Sequence, residues 1–285
     1  MAIKIITDSG CDLPKEIIEK YSIKLLPLYV YLDDKPYLDG VTIEHKAVYD
    51  GMRKGNVYKT AQVPPNIFYD AFKECVENND TCIYIGFSSE LSGTYQSSMI
   101  AKEDILEEYP NFDIHVIDTK CASLGFGLVV YKAAQIVSEG KTKEEVLESI
   151  EFNSKHMEGI FTVDDLEYLF RGGRVSRSSA VIGGILNIKP ILNVDKGKLI
   201  PIDKIRGKKK VLKRILELVR ERGVDLENQT IAISHGDDVE EAEKLKGILE
   251  EEFGCKNFLI STIGGVIGSH VGPGTIAVFF LNDIK

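Results

Sequence analysis

Two short segments concentrate the residue types that can hold an acid group. Ser88-Ser89-Glu90-Leu91-Ser92-Gly93-Thr94 follows a strand-like run and opens a helical pattern. Such a junction aims unpaired backbone N–H groups and the positive end of a helix dipole outward. A carboxylate or phosphate is the group that end accepts. Ser92 falls at the cap position, and Gly93 leaves the backbone open to close approach. The same serine can equally serve only its own helix. The second segment, Gly264 to Gly274, sets five glycines and Pro273 around His270. That composition predicts a tightly turned loop aiming the imidazole, the side chain suited to pairing with an acid near neutral pH. A hydrogen-bonded structural histidine on a turn is the plainer alternative. Asp8 and Ser9 end a strand, where α/β folds bind ligands, though turn and cap roles suit them as well. Arg171-Gly172-Gly173-Arg174-Val175-Ser176 gathers cations on a glycine turn, open to an anion, a partner or solvent.

These segments need a scaffold, and the alternation of elements describes one. Ile3 to Thr7 reads as a strand, with Asp12 as the cap of a following helix that has Pro14 in its first turn. Leu25 to Leu32 reads as one strand closed by Asp33-Asp34-Lys35. Helical patterns cover Glu44 to Arg53 and Asn66 to Glu74. Strand Cys82–Ile85, a helix from Gly93 to Glu108, strand Ile114–Ile117 and a helix to Ser138 imply parallel pairing with right-handed crossovers. Thr142-Lys143-Glu144-Glu145 is a capping box that opens another helix, to about His156.

Beyond Gly159 the alternation changes. A strand at Ile160–Val163 precedes a helical pattern over Ser178 to Leu186. Ile191–Val194 and Leu199–Ile202 flank Asp195-Lys196-Gly197-Lys198, a hairpin signal. The helix from Lys208 to Arg222 places Val211, Leu212, Ile215, Leu216 and Val219 on one face, so it packs on a sheet. Strand Thr230–Ser234, helix Val239–Phe253, and strands Phe258–Ser261 and Thr275–Leu281 complete the chain. The expected fold is α/β with two lobes: an N-terminal parallel-sheet domain over residues 1–157 and a C-terminal domain with a mixed sheet over 158–285.

Bulk properties narrow the function. With 285 residues, 44% hydrophobic and 28% charged, the chain has the balance of a folded globular protein that could enclose a ligand. A net charge of −9, from 35 basic and 44 acidic residues, argues against general nucleic-acid binding. Basic residues are nonetheless dense between Lys204 and Arg222, either a docking face for an anionic partner or membrane or a solvated helix surface. Five cysteines without a C-x-x-C pattern point away from disulfides and zinc. No signal peptide or membrane-length apolar run is visible, so the reduced cytoplasm is the expected compartment. Gly140-Lys141-Thr142 lacks the rest of a P-loop, and Gly125-Phe126-Gly127 lacks a dinucleotide motif's third glycine. Gly86-Phe87-Ser88-Ser89-Glu90 fails the nucleophile-elbow pattern.

Read together, several motifs carry a family resemblance. They are Thr7-Asp8-Ser9 with Asp12-Leu13-Pro14, Lys59-Thr60-Ala61-Gln62, Ser88 through Tyr95, and Val116-Ile117-Asp118-Thr119. Further on come Leu166-Glu167-Tyr168-Leu169, Arg171 through Ser176, Lys189-Pro190 and Ser269 through Gly274. In this order, across residues 3–282, the chain resembles the DegV family of bacterial fatty-acid-binding proteins that serve a fatty acid kinase. The resemblance implies a buried acyl tunnel for one long-chain fatty acid such as palmitate, with no other cofactor and no metal. It implies that Thr60, Ser92 with Gly93, and His270 hold the carboxylate by hydroxyls, helix-end amides and imidazole, without a competing cation. Ala61 stands where the family usually has serine, so a neighbouring hydroxyl is missing. Arg171, Arg174 and Arg206 would meet the kinase, the transferred phosphoryl group or an anionic membrane. The expected protein is a non-catalytic carrier. The alternative is an acyl hydrolase with Ser92 as nucleophile and His270 as base, for which residue types suffice but no acid partner or oxyanion pattern is visible. A transcriptional regulator is a third reading, without a recognisable DNA-binding motif.

Overall fold

The computed structural model describes residues 2–176 and 188–285, leaving the helical pattern expected over Ser178–Leu186 outside the described residues. In chain order the first half contains β1 (Ile3–Asp8), α1 (Lys15–Lys20), β2 (Lys24–Leu26), β3 (Tyr29–Leu32), β4 (Lys35–Leu38) and α2 (His45–Arg53). It continues with β5 (Lys59–Ala61), α3 (Pro65–Glu77), β6 (Thr81–Gly86), α4 (Thr94–Glu108), β7 (Ile114–Asp118), α5 (Ser123–Ser138) and α6 (Lys143–His156). The second half contains β8 (Met157–Thr162), α7 (Glu167–Arg171), β9 (Ile188–Asp195), β10 (Lys198–Arg206) and α8 (Lys208–Arg222). It ends with β11 (Thr230–His235), α9 (Val239–Phe253), β12 (Asn257–Thr262), α10 (Gly265–Val271) and β13 (Ile276–Leu281).

These elements form two lobes, as the alternation implied. The first is built on a parallel sheet in the order β2-β1-β6-β7, with a small antiparallel sheet β4-β3-β5 beside it. The second is a mixed sheet in the order β10-β9-β8-β13-β11-β12, where β11 and β12 are parallel and the other pairs antiparallel. Strand β6 is buried along its whole length, as a central parallel strand covered on both faces must be. Its sheet packs on one side against α3 and α4 through Phe68, Phe72 and Ile105, and on the other against α5 through Phe126, Val129 and Val130. The mixed sheet carries α8 and α9 on one face through Ile215, Val219, Leu245 and Leu249. Its other face turns towards the first lobe, where Leu124 and Leu128 of α5 meet Phe161, Leu192, Ala277 and Phe279. Helix α5 is therefore shared: one side packs on each sheet.

Four local expectations change in the folded chain. The strand expected over Leu25–Leu32 is two strands in two sheets, β2 alongside β1 and β3 alongside β4 and β5. Pro27 sits at the break; lacking an N–H, it cannot continue a ladder, and the N–H of Leu28 goes to Ser9 Oγ at 3.1 Å. Asp12 does not cap α1. It lies in the left-handed region (φ 52°), buried, while Pro14 stands at the cap position. The expected loop around His270 contains α10, and Arg171 closes the short helix α7 before the turn at Gly173. The hairpin is confirmed and longer than expected, with the positive φ of Lys196 (47°) and Gly197 (84°) making its two-residue turn. The capping box at Thr142 and Glu145 forms as read.

Candidate functional site

Helix α10 is short and glycine-rich, a sequence that would not hold helical form alone. Tertiary contacts supply what propensity does not. The N–H of Gly264 donates to Asp12 Oδ1 and that of Gly265 to Asp39 Oδ1, both at 2.8 Å. The Tyr49 hydroxyl donates to the carbonyl of Ile263 at 3.0 Å, and a Cβ at Gly268 would lie 2.7 Å from that hydroxyl. Two carboxylates thus cap the helix, and glycines let α2 pack against it. Burial raises both acids, Asp12 to about 8, while Asp39 also faces His45 at 3.5 Å. Asp8 and Ser9 belong to this structural network and do not line the cavity described next. Asp8 accepts from Tyr84, Phe87 and Gly10, and Ser9 donates to Asp39.

At the other end of α10, His270 Nε2 lies 2.8 Å from Oγ1 of Thr60 on β5. Burial pushes His270 down to about 3, assisted by the nearby Arg174 and Arg171 guanidinium groups, so its imidazole is neutral. Its Nδ1 is buried, has no hydrogen-bond partner among the described residues, and faces Gly172, where a Cβ would overlap it. Ser92 is not the cap expected of it and stands one residue ahead of the observed one. Gly93 takes that position, and Ser92 Oγ accepts the Thr94 N–H at 3.2 Å while sharing a hydrogen bond with Thr94 Oγ1 at 2.9 Å. Gly93 is needed for contact with Gln62, whose side chain a Cβ would strike and whose amide donates to Ser97 Oγ at 2.7 Å.

Thr60, Gln62, Ser92, Gly93 and His270 line one cavity of about 400 Å³ between the lobes. Its walls are apolar: Leu28, Phe87, Leu91, Val266 and Ile267 on the first lobe's side, with Phe161, Val194, Leu199 and Phe279 across from them. Ala61 lines it as well, adding no hydroxyl. Arg174 is the group that differs from the sequence expectation of a cation-free head. Its Nε donates to the Leu91 carbonyl at 3.1 Å and its Nη1 to that of Gly172, and it lines the cavity with no carboxylate partner among the described residues. A half-buried guanidinium anchored on two carbonyls keeps its charge available to an anion. The glycine turn marked Arg174 as a cation, but only the docking of α7 against α10 sends it inward.

The remaining expected residues lie elsewhere. Arg171 is exposed and stacks on Tyr168, its guanidinium carbon 5.0 Å from the ring centroid, and does not line the cavity. Arg206 is exposed at the end of β10. Much of the basic stretch is internally paired: Arg214 with Asp203 and Glu221, Arg220 with Glu252, and Arg222 with Glu158. Arg206, Lys209 and Lys210 have no ion pair among the described residues and leave a small cationic face. His270 bonds to Thr60 and Ser92 to Thr94, so the nucleophile and base of a hydrolase are not hydrogen-bonded to each other. Among the described residues no group of His, Cys, Asp and Glu could hold a metal ion, and no helix is long and apolar enough to cross a membrane.

A family model described as an uncharacterised protein of the DegV family matches residues 2–283. A DegV domain-containing protein of Clostridium perfringens is 45% identical over 284 residues, covering 99% of this chain and 98% of that one. Among solved structures, a DegV family protein from Thermus thermophilus, described by its fatty acid binding, is 32% identical. It superposes with a TM-score of 0.89 over 98% of this chain and 99% of its own. A stearic-acid-binding protein from Eubacterium ventriosum is 28% identical, with a TM-score of 0.90 and 99% of each chain covered.

Proposed function

Because the chain belongs to the DegV family, we propose that its cavity binds one long-chain fatty acid, such as palmitate, with the carboxylate at Thr60, Ser92, Gly93 and His270. The observation that carries this reading is an apolar cavity whose polar residues include the Thr60–His270 pair and a guanidinium with no carboxylate partner among the described residues. Each buried methylene contributes about 0.8 kcal/mol, so an acyl chain supplies on the order of 10 kcal/mol before ordering costs. A carboxylate left unpaired in the same place would cost several kcal/mol. Arg174 offsets that cost by charge, and the Thr60 and Ser92 hydroxyls by hydrogen bonds. A neutral His270 contributes a ring N–H or a lone pair, as the headgroup requires. Tail burial supplies affinity, and the head supplies the choice of an acid over a neutral lipid.

The protein acts as a carrier in the cytoplasm, without catalysis of its own. It presents the carboxylate to a separate fatty acid kinase, and Arg171, Arg174 and the cationic face at Arg206, Lys209 and Lys210 meet that kinase, the phosphoryl group or an anionic membrane. Neighbours described by their fatty acid binding support the ligand, and the exposed cations support an anionic partner. Native mass spectrometry of the purified chain tests the ligand: a co-purifying acyl mass, lost on delipidation and restored by added palmitate, is expected. An empty protein that takes up no fatty acid would remove the reading. Charge reversal at Lys209 and Lys210 should impair kinase-dependent phosphorylation of the bound acid while leaving lipid affinity intact.

A further inference from the structure

The cavity has a second polar spot that carboxylate binding does not use. Ser123, the first residue of α5, and Ser234, on β11, both line the cavity and are both buried. Ser123 Oγ lies 3.0 Å from Ser234 Oγ and 2.5 Å from Asp12 Oδ2. On one side of Ser234 the sheet is apolar: its neighbour on β13 is Ala277, whose own neighbour on β8 is Phe161, and both line the cavity. On the other side its neighbour on β12 is Ser261, whose hydroxyl turns to the Thr262 carbonyl and which does not line the cavity. Thr275, also on the cavity wall, already directs its hydroxyl to the carbonyls of Val271 and Gly272.

Counting protons along this chain leaves one capacity over. If Asp12 is ionised, Ser123 donates to it and Ser234 donates to Ser123, so the lone pairs of Ser234 are unused. If Asp12 is protonated, it donates to Ser123 and Ser123 to Ser234, so the Ser234 proton is unused. Either way the series ends at Ser234, facing apolar space with a hydrogen bond to give or accept. With Asp12 protonated the buried Ser234 O–H is left without an acceptor, which costs free energy and favours a ligand group that accepts it.

This spot is linked to the end of α10 opposite His270. Asp12 holds Gly264 at the start of α10, and His270 stands six residues later on the same helix. At about 1.5 Å of rise per residue these two ends of α10 are about 9 Å apart, and Ser234 is tied through Ser123 and Asp12 to the Gly264 end, not to the end that carries His270. We propose that the cavity selects long-chain fatty acids hydroxylated near mid-chain, with Ser234 as the specificity-determining contact. This inference rests on the fatty-acid reading above and names a ligand class within it.

The test uses delipidated full-length protein titrated calorimetrically with stearic acid and with a hydroxystearic acid bearing its hydroxyl at mid-chain. One matched hydrogen bond in an apolar wall should favour the hydroxylated acid by about fivefold. Ser234→Ala should reverse that preference while holding stearic acid affinity within about twofold, since the hydroxyl would then be buried without a partner. Tighter wild-type binding of plain stearic acid, or a preference that survives in Ser234→Ala, overturns the inference but leaves the fatty-acid reading standing. Failure of both acids to bind overturns both. The wild-type comparison decides the matter by itself should the variant not fold.

Discussion

Gly172 packs directly against the imidazole of His270, so that a single methyl group at position 172 would occupy the space of Nδ1. The glycine itself is in a helical conformation (φ −72°, ψ −14°), which alanine adopts without strain. Gly172→Ala should therefore act on the histidine rather than on the backbone. A drop of about tenfold in fatty acid affinity is expected with little change in Tm. Parallel binding and melting curves check this, and unchanged affinity would show that the imidazole orientation is not needed.

Thr60 offers a cleaner removal. Thr60→Val keeps the shape but deletes the hydroxyl that meets His270 Nε2 at 2.8 Å. Loss of a hydrogen-bonding hydroxyl at a charged headgroup should weaken binding by about 10- to 100-fold. Thr60→Ser should recover most of that. Displacement of a fluorescent fatty acid from the two variants measures the split.

Arg174 is predicted to act on both ligand and histidine. His270 is held low first by burial and then by the positive charges of Arg174 and Arg171. Arg174→Gln removes one of those charges, so protonation of His270 should shift to higher pH in the ligand-free protein. Fatty acid affinity should fall by about tenfold or more, since the carboxylate loses a charged partner. NMR titration of the imidazole gives the first result and calorimetry the second.

Asp12 should make stability depend on pH. Its ordinary value of 3.8 applies to the unfolded chain, and burial raises it to about 8 in the folded one. Between those values the folded state holds a proton that the unfolded state has released, so this group's contribution falls as pH rises through the window. Asp12→Asn keeps a neutral acceptor for the Gly264 N–H and a donor for Ser123, and it removes the titration. The Tm of the variant relative to the parent should climb by at least about 2–4 °C between the acid and alkaline ends of that window. A constant difference across pH would place the proton elsewhere in the buried set that includes Asp39 and Asp8.

The legible parts of this fold are those governed by neighbours in sequence. The basic helix was readable from Val211, Leu212, Ile215, Leu216 and Val219 recurring on one face, and α8 occupies Lys208–Arg222 as expected. The Thr142–Glu145 box closes within three residues, and the hairpin turn requires only the left-handed conformations of Lys196 and Gly197. The segment around His270 reads as a loop and folds as a helix for the opposite reason. Its glycines favour a loop locally, while the acceptors that cap it come from Asp12 and Asp39, more than 200 residues away in sequence. Pro27 was visible, but not that the chain would leave one sheet for another there.

Sequence alone determined the alternation of strands and helices, the two-lobed α/β plan and the residue types able to hold an acid, because periodicity, caps and turn chemistry operate over a few residues. Tertiary structure decided which of those residues meet. Thr60 and His270 are 210 positions apart, and Ser123 and Ser234 are 111 apart. Arg174 turns towards them only through the docking of α7 on α10. The cavity itself is space left between two sheets sharing α5, and such a volume depends on how surfaces are set against each other in three dimensions.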